Sequence, residues 1–217
     1  MSALQGIFYK DFATSYIPEI LKELYRDRIY APYMDNIKDG ICVDVGGNIG
    51  LWTQFAAPHA KHVYTLEPSE DHYNTILYML KHNGIENVTV LPNALSHENS
   101  KVDLYHSQNV TAHSLYHGMD NAGSSEKVEA ITFDKLVEKL GIKHINFCKL
   151  DPEGAEFAIL GSEGFRKVAP IIDAMVVELH SWPGINYNQA VTSLKDNGFE
   201  VVRIPSEAFI IGAKKKK

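Results

Sequence analysis

The sequence predicts an α/β fold, doubly wound around a mostly parallel sheet. Three observations predict it. Short apolar runs alternate with stretches of helical period along most of the chain, as in repeated strand–helix–strand units. The first such run ends in glycines, at Gly46-Gly47, just before a helical stretch. The last two runs, Glu200–Ile204 and Ala208–Ile211, lie only a few residues apart around Pro205, which implies a C-terminal antiparallel hairpin. The chain has 217 residues, 45 % hydrophobic and 22 % charged, which suits one globular domain and excludes a disordered or collagen-like chain. No internal repeat or linker interrupts it. A single domain over 1–217 is expected, with an N-terminal helical segment at about 1–38 and a substrate-loop region at about 106–127.

Each element has its own signal. Phe12, Ile17, Ile20, Leu21, Leu24 and Tyr25 recur at helical spacing, with Pro18 near the start. Ile41–Val45 is a strand, and Asn48–Ala57 reads as a helix. Val63–Leu66 is a strand, Ser69–Asn83 a helix stopping at Gly84, and Val88–Leu91 and Val102–Tyr105 are strands. Residues 106–127 are rich in Ser, Asn, Gly and His without a period, and read as a long loop of functional length. The alternation resumes with helix Phe133–Leu140, strand Ile145–Leu150, helix Glu153–Leu160, strand Ile171–Leu179 and helix Tyr187–Asn197.

Charge and cysteine usage narrow the function classes. Lys and Arg number 21 against 27 Asp and Glu, for a net charge of −6. Lys214–Lys217 hold four of the positive charges, so the body before them carries 17 against 27, or −10. An acidic body argues against a broad phosphate-facing surface and hence against a nucleic-acid substrate. The lysine tail reads as a solvated end. Cys42 and Cys148 each sit in an apolar run and read as reduced core residues. No apolar run approaches the ~18 residues of a membrane span, and the start carries no signal-peptide pattern, so the expected compartment is the cytoplasm.

The glycine turn is the first candidate site. The first strand runs into Asp44-Val45-Gly46-Gly47-Asn48-Ile49-Gly50. Glycines allow a sharp turn and close approach to a ligand, and exposed N–H groups at the new helix favour a negative ligand group. The dinucleotide fingerprint G-x-G-x-x-G fails, because Asn48 and Leu51 stand where its second and third glycines belong. The next strand ends at Glu67-Pro68, and an acidic residue about 20 positions after the turn can accept hydrogen bonds from both ribose hydroxyls. Together these signals point to a nucleoside-containing ligand.

The combination resembles class I S-adenosylmethionine-dependent methyltransferases. Further stretches narrow the resemblance to the FkbM family: Val43–Gly50, Leu66-Glu67-Pro68, Asn83-Gly84 with Asn87–Val90, and Asn93–Ser96. Thr132-Phe133-Asp134, Lys149–Glu156 and Val177-Glu178-Leu179-His180 follow in the same order, over roughly 40–182. The family usually carries Asp-Val-Glu-Gly at the fourth strand end. Here Pro152 replaces the middle residue, which keeps both acids and leaves no N–H at 152.

The resemblance implies a seven-stranded core and S-adenosyl-L-methionine as cofactor. Gly46, Gly47, Asn48 and Gly50, with Asp44 behind them, would hold its methionine end, and Glu67 its ribose. Asn93 and Ala94 would border the adenine, with Asp151 and Glu153 at the mouth near the amino group or the substrate. It also implies transfer to a hydroxyl of a small molecule or carbohydrate. A hydroxyl acceptor gains from a general base. His180, at the end of a central strand, is the first candidate, and Asp151 and Glu153 are next. His113, Tyr116 and Trp182 are candidate substrate contacts. His106, His113 and His117 match no zinc spacing and no paired cysteines support one, so no metal site is expected. Base-methylating enzymes often carry Asp/Asn-Pro-Pro-aromatic where this chain has Asp151-Pro152-Glu153-Gly154, so base stacking there is absent. The helix around Ile17–Tyr25 reads as an active-site cap or a homodimer contact. The alternatives are an RNA or protein methyltransferase, or a catalytically silent cofactor-binding protein.

Overall fold

The computed structural model describes residues 17–107, 114, 121–180, 186–206 and 208–216. A short helix α1 (Ile17–Leu21) continues as a π-helical turn over Lys22–Asp27, and α2 (Met34–Ile37) precedes the first strand. β1 (Ile41–Val45), α3 (Leu51–Ala56), β2 (His62–Leu66), α4 (Glu70–His82) and β3 (Val88–Leu91) form two parallel crossovers. β4 (Asn93–Leu95), β5 (Ser100–Ser107) and β6 (Asn121–Ile131) form a separate three-stranded sheet, ordered β4-β6-β5. α5 (Phe133–Leu140) leads to β7 (Ile145–Leu150), then α6 (Glu156–Gly161), α7 (Glu163–Val168) and β8 (Ile172–Glu178). α8 (Tyr187–Asp196), β9 (Phe199–Ile204) and β10 (Ile210–Lys215) complete the chain.

The main sheet has seven strands in the order β3-β2-β1-β7-β8-β10-β9. The first five are parallel, and β10 runs antiparallel to both β8 and β9. This is the expected doubly wound sheet with its C-terminal hairpin. The order reverses between β1 and β7, so the carboxyl ends of β1, β2, β7 and β8 border one crevice.

Side-chain alternation divides the core between the two faces. Val43, Val45, Cys148, Met175 and Val177 pack with Phe133, Leu136 and Phe165 on one face. Cys42, Phe147, Ala174 and Val176 pack with Leu24, Tyr30, Tyr33 and Trp52 on the other. Trp52 stacks on Phe147 at 5.7 Å, with Tyr30 and Tyr33 against the same ring, so the N-terminal segment is fastened to the sheet by aromatic packing. Cys42 and Cys148 are free and buried, as expected.

Several sequence expectations change. The stretch 106–127 is not one loop, because β6 begins at Asn121 and pairs with β5 over most of its length. The helix expected from Asn48 starts at Leu51, because Asn48 and Gly50 have φ of 50° and 82°. The helix expected from Glu153 starts at Glu156 for the same reason, with Glu153 at φ 52°. The lysine tail is partly structural. Lys214 and Lys215 lie in β10, where Lys214 Nζ donates to the Pro32 carbonyl and Lys215 Nζ to that of Asn197. Among the described residues, no helix is long and apolar enough to cross a membrane.

Candidate active site

The Gly46–Gly50 turn is built by its own packing. A Cβ at Gly46 would overlap the Asp151 carbonyl oxygen, so only glycine lets the ends of β1 and β7 close on each other. The Gly46 and Gly47 amides donate to the Leu66 carbonyl, Asn48 N to Glu67 Oε2, Ile49 N to Asn48 Oδ1 and Gly50 N to the Gly47 carbonyl. All five amides are therefore engaged inside the protein. The anion-binding cradle expected from exposed N–H groups is absent from this turn, and the ligand must be recognised by the side chains around it.

Glu67 is fixed for that task. It is 5 % exposed, and its two oxygens accept from Asn48 N at 2.7 Å and Ser69 N at 2.9 Å. A carboxylate has about four acceptor sites, so both oxygens keep capacity for ribose hydroxyls. Glu67 lines a cleft of about 550 Å³ with Gly46, Asn48, Asn93, Ala94, Leu95 and Leu104. Asn93 and Ala94 open β4, and Ala94, Leu95 and Leu104 give the cleft an apolar wall suited to a planar base. Asp44 and Gly50 line no part of it. Asp44 is wholly buried beneath the turn, accepting from Thr53 Oγ1 at 2.6 Å.

A residue not singled out from sequence ties this floor together. Lys149, on β7, donates from Nζ to Asp151 Oδ2 at 2.8 Å and to the Gly46 carbonyl at 3.1 Å, and lies 3.7 Å from Asp44 Oδ1. Burial opposes its charge, but Asp151 and Asp44 overcome that and hold it as an ammonium. Burial lifts the Asp44 carboxyl to about 6, against the opposing pull of Lys149 and Thr53.

A second cleft of about 870 Å³ adjoins the first, with Gly46, Asn48, Asp151 and Glu153 shared between them. Its outer wall is the N-terminal segment, through Ile20, Glu23, Leu24 and Tyr30, and its floor carries Trp52, Lys149 and Glu178. Among the described residues the buried Trp52 Nε1 has no hydrogen-bond partner.

His180 stands beside this cleft within a ring of carboxylates. Nδ1 is 2.8 Å from Glu156 Oε1 and Nε2 is 3.1 Å from Glu153 Oε2, with Asp151 and Glu178 oxygens each at 3.9 Å from Nε2. Burial disfavours the imidazolium, but the Glu156 hydrogen bond and the charges of Asp151 and Glu153 outweigh it and raise His180 to about 10. Both ring nitrogens of His180 thus face carboxylates, one on each side. Burial and the Asp151 charge raise the Glu153 and Glu178 carboxyls above the ordinary carboxylate range.

The structure brings Asp151, Glu153 and His180 together as expected. It adds Lys149, Glu156 and Glu178, which lay inside the matched motifs without an assigned role. Ser114 is a further addition. Its Oγ donates to the Glu153 carbonyl at 2.7 Å and its backbone pairs with Tyr105, so this residue of the expected loop region docks on the site. His106 lies on the β5–β6 arm, 3.6 Å from Glu126. His113, Tyr116, His117 and Trp182 lie outside the described residues.

A crevice at the strand ends, an acidic residue after β2 and an apolar slot beside it make this a doubly wound fold with a candidate nucleoside site. The sequence profile of the methyltransferase FkbM domain matches residues 44–201, and the chain belongs to that family. A relative from Beauveria bassiana (strain ARSEF 2860), named Methyltransferase 1, is 26 % identical over 206 residues, covering 84 % of this chain and 80 % of its own. An rRNA methylase from Streptococcus thermophilus superposes with a TM-score of 0.54 at 14 % identity, over 88 % of this chain and 95 % of its own. The magnesium protoporphyrin IX methyltransferase of Synechocystis PCC 6803, solved with bound S-adenosylmethionine, superposes with a TM-score of 0.55 at 10 % identity. That match covers 96 % of this chain and 88 % of the other. Glu67 with the Ala94–Leu95–Leu104 wall has the chemistry to hold an adenosine, the group that the Synechocystis enzyme's bound S-adenosylmethionine carries.

Proposed function

We propose that this chain O-methylates a hydroxyl of a small molecule or sugar held in the second cleft. The observation that supports it is the shared wall of the two clefts. A cofactor in the first would present its reacting end along Gly46, Asn48, Asp151 and Glu153, which also border the second. When bound, the cofactor supplies a methyl group already activated on a sulfonium. The protein's task is then to position, desolvate and deprotonate the acceptor.

Glu67 orients the ribose, and Lys149 locks the turn to Asp151 so that the shared wall keeps its shape. Glu153 takes the acceptor proton. It lines both clefts, and its left-handed backbone, held by Ser114 on its carbonyl, directs it away from a helical path. Trp52 Nε1 offers a free donor to an acceptor oxygen. Glu23, Asp151, Glu153 and Glu178 against Lys149 make the second cleft unfavourable for a phosphate backbone, which favours a neutral polyol or sugar over RNA.

A tritiated-methyl transfer screen over glycans, small phenols and RNA tests the reading, alongside calorimetric titration with S-adenosylmethionine. Label is expected on a hydroxylated small molecule or glycan. Label confined to RNA, or no heat of cofactor binding, overturns it.

A further inference from the structure

We propose that Asp151, Glu178 and His180 form a site for one divalent cation of the Mg2+ and Mn2+ class, at the wall of the second cleft. One ligand atom from each residue lies within 4.8 Å of the other two, and His180 Nε2 is 3.9 Å from both Asp151 Oδ1 and Glu178 Oε1. Ligand atoms bound at about 2.0–2.2 Å stand roughly 3 Å apart when adjacent, so side-chain shifts of under about 1 Å bring the trio onto one ion.

One further feature of the site itself, and one beside it, point to a cation. Among the described residues Asp151 Oδ1 is a buried atom without a hydrogen-bond partner, whereas Oδ2 is engaged by Lys149. Glu156 is wholly buried and aimed at His180, with Oε1 on Nδ1 at 2.8 Å and Oε2 without a partner among the described residues. A buried carboxylate on one imidazole nitrogen is the outer-shell arrangement that presents the other nitrogen to a metal. The local composition agrees. Four carboxylates, those of Asp151, Glu153, Glu156 and Glu178, crowd around one imidazole and the Lys149 ammonium, so oxygen ligands are in excess at this wall. Two carboxylates with one imidazole, and no thiolate among them, suit a hard ion that keeps water or substrate oxygens in its open positions.

For its role, this inference rests on the second cleft being the acceptor site. Open positions on the ion would take two adjacent oxygens of the acceptor, which selects vicinal diols, catechols and sugars. A hydroxyl on the ion gives up its proton more readily. Coordination displaces the His180 Nε2 proton to solvent, so affinity rises with pH, and it frees Glu153 Oε2, now 3.1 Å away, to take the acceptor proton.

The test is titration of the full chain with Mn2+ in the absence of cofactor, followed by the electron paramagnetic resonance signal of the free ion. One ion per chain is expected, displaced by excess Mg2+, with Glu178→Gln and His180→Gln each weakening it at least about tenfold. Mn2+ should raise the melting temperature of the wild type and not that of either variant, which separates lost binding from misfolding. No binding by the wild type up to millimolar Mn2+, or wild-type affinity in both variants, overturns the site. Calorimetry with S-adenosylmethionine in EDTA keeps the two readings apart. Cofactor binding without Mn2+ binding sinks the ion site alone, and Mn2+ binding without cofactor binding upholds the site while sinking the methyl-transfer reading.

Discussion

Lys149 is 11 % exposed and sits between Asp44, Asp151 and the Gly46 carbonyl. Removing one partner of such a pair leaves an uncompensated buried charge, which costs about 3–5 kcal/mol. Lys149→Met should therefore destabilise strongly in urea, and Asp44→Asn should recover part of that loss, a coupling of at least about 1 kcal/mol in a double-mutant cycle. Additive losses would show that the pair is not coupled. Asp44 also sets a pH dependence. Its folded value of about 6 lies above the ordinary 3.8, so between these pH values the folded state binds the proton that the unfolded state releases. Its contribution is most favourable below about pH 4 and falls as pH rises through 6, on the order of 3 kcal/mol in all at about 1.4 kcal/mol per unit. Asp44→Asn should flatten that fall in urea melts taken from pH 4 to 7, and an unchanged slope would mean that Asp44 ionises normally. Glu67 shows what sequence does convey at this scale. An acid after a strand, in register with a glycine turn, is a local pattern. Glu67→Ala should weaken S-adenosylmethionine at least about tenfold by calorimetry, since two charge-assisted hydrogen bonds are lost. Lys149 and Glu156 were not legible, because a charge in a strand or first helical turn reads as solvated until the fold buries it.

At the scale of elements, the parallel strands were legible because both faces are covered and their sequences are continuous apolar runs. β6 was not. Asn121–Lys127 are polar, and the strand is held by its ladder to β5 with Val128 and Ala130 as its buried apolar side chains. α7 is six residues long and depends on Ser162 Oγ accepting from Phe165 N, a cap with little periodic signal behind it. β10 gives a prediction at this scale. It crosses under the N-terminal segment at Gly212, where a Cβ would meet the Tyr33 hydroxyl. Overpacking of this kind costs about 1–3 kcal/mol. Gly212→Ala should lower the melting temperature by roughly 2–10 °C, and Tyr33→Leu in the same chain should recover much of it. Equal melting temperatures for Gly212→Ala and wild type would show that β10 and the segment move apart freely.

On the proposed reading, the whole molecule separates cofactor and acceptor between two clefts that meet along one wall. The first is made by β1, β2 and β7, which the alternation of runs made visible, and by β4, a three-residue strand too short to leave a pattern. The second needs the N-terminal segment as its outer wall, and nothing in a helical period says which crevice a helix will cover. The division can be tested by filling each cleft separately. Ile20 lines the second cleft and no part of the first, so Ile20→Trp should raise the acceptor KM about tenfold or more while leaving S-adenosylmethionine affinity within about twofold. Leu104 lines the first cleft and no part of the second, so Leu104→Trp should do the reverse and weaken the cofactor first. Calorimetry gives the cofactor affinities, and initial rates on a substrate found by the transfer screen give the acceptor KM. If both variants lose both affinities alike, the clefts act as one chamber. In that case the N-terminal segment supports the cofactor directly, and acceptor choice must be sought in the β5–β6 arm, which meets the site through Ser114 on the Glu153 carbonyl.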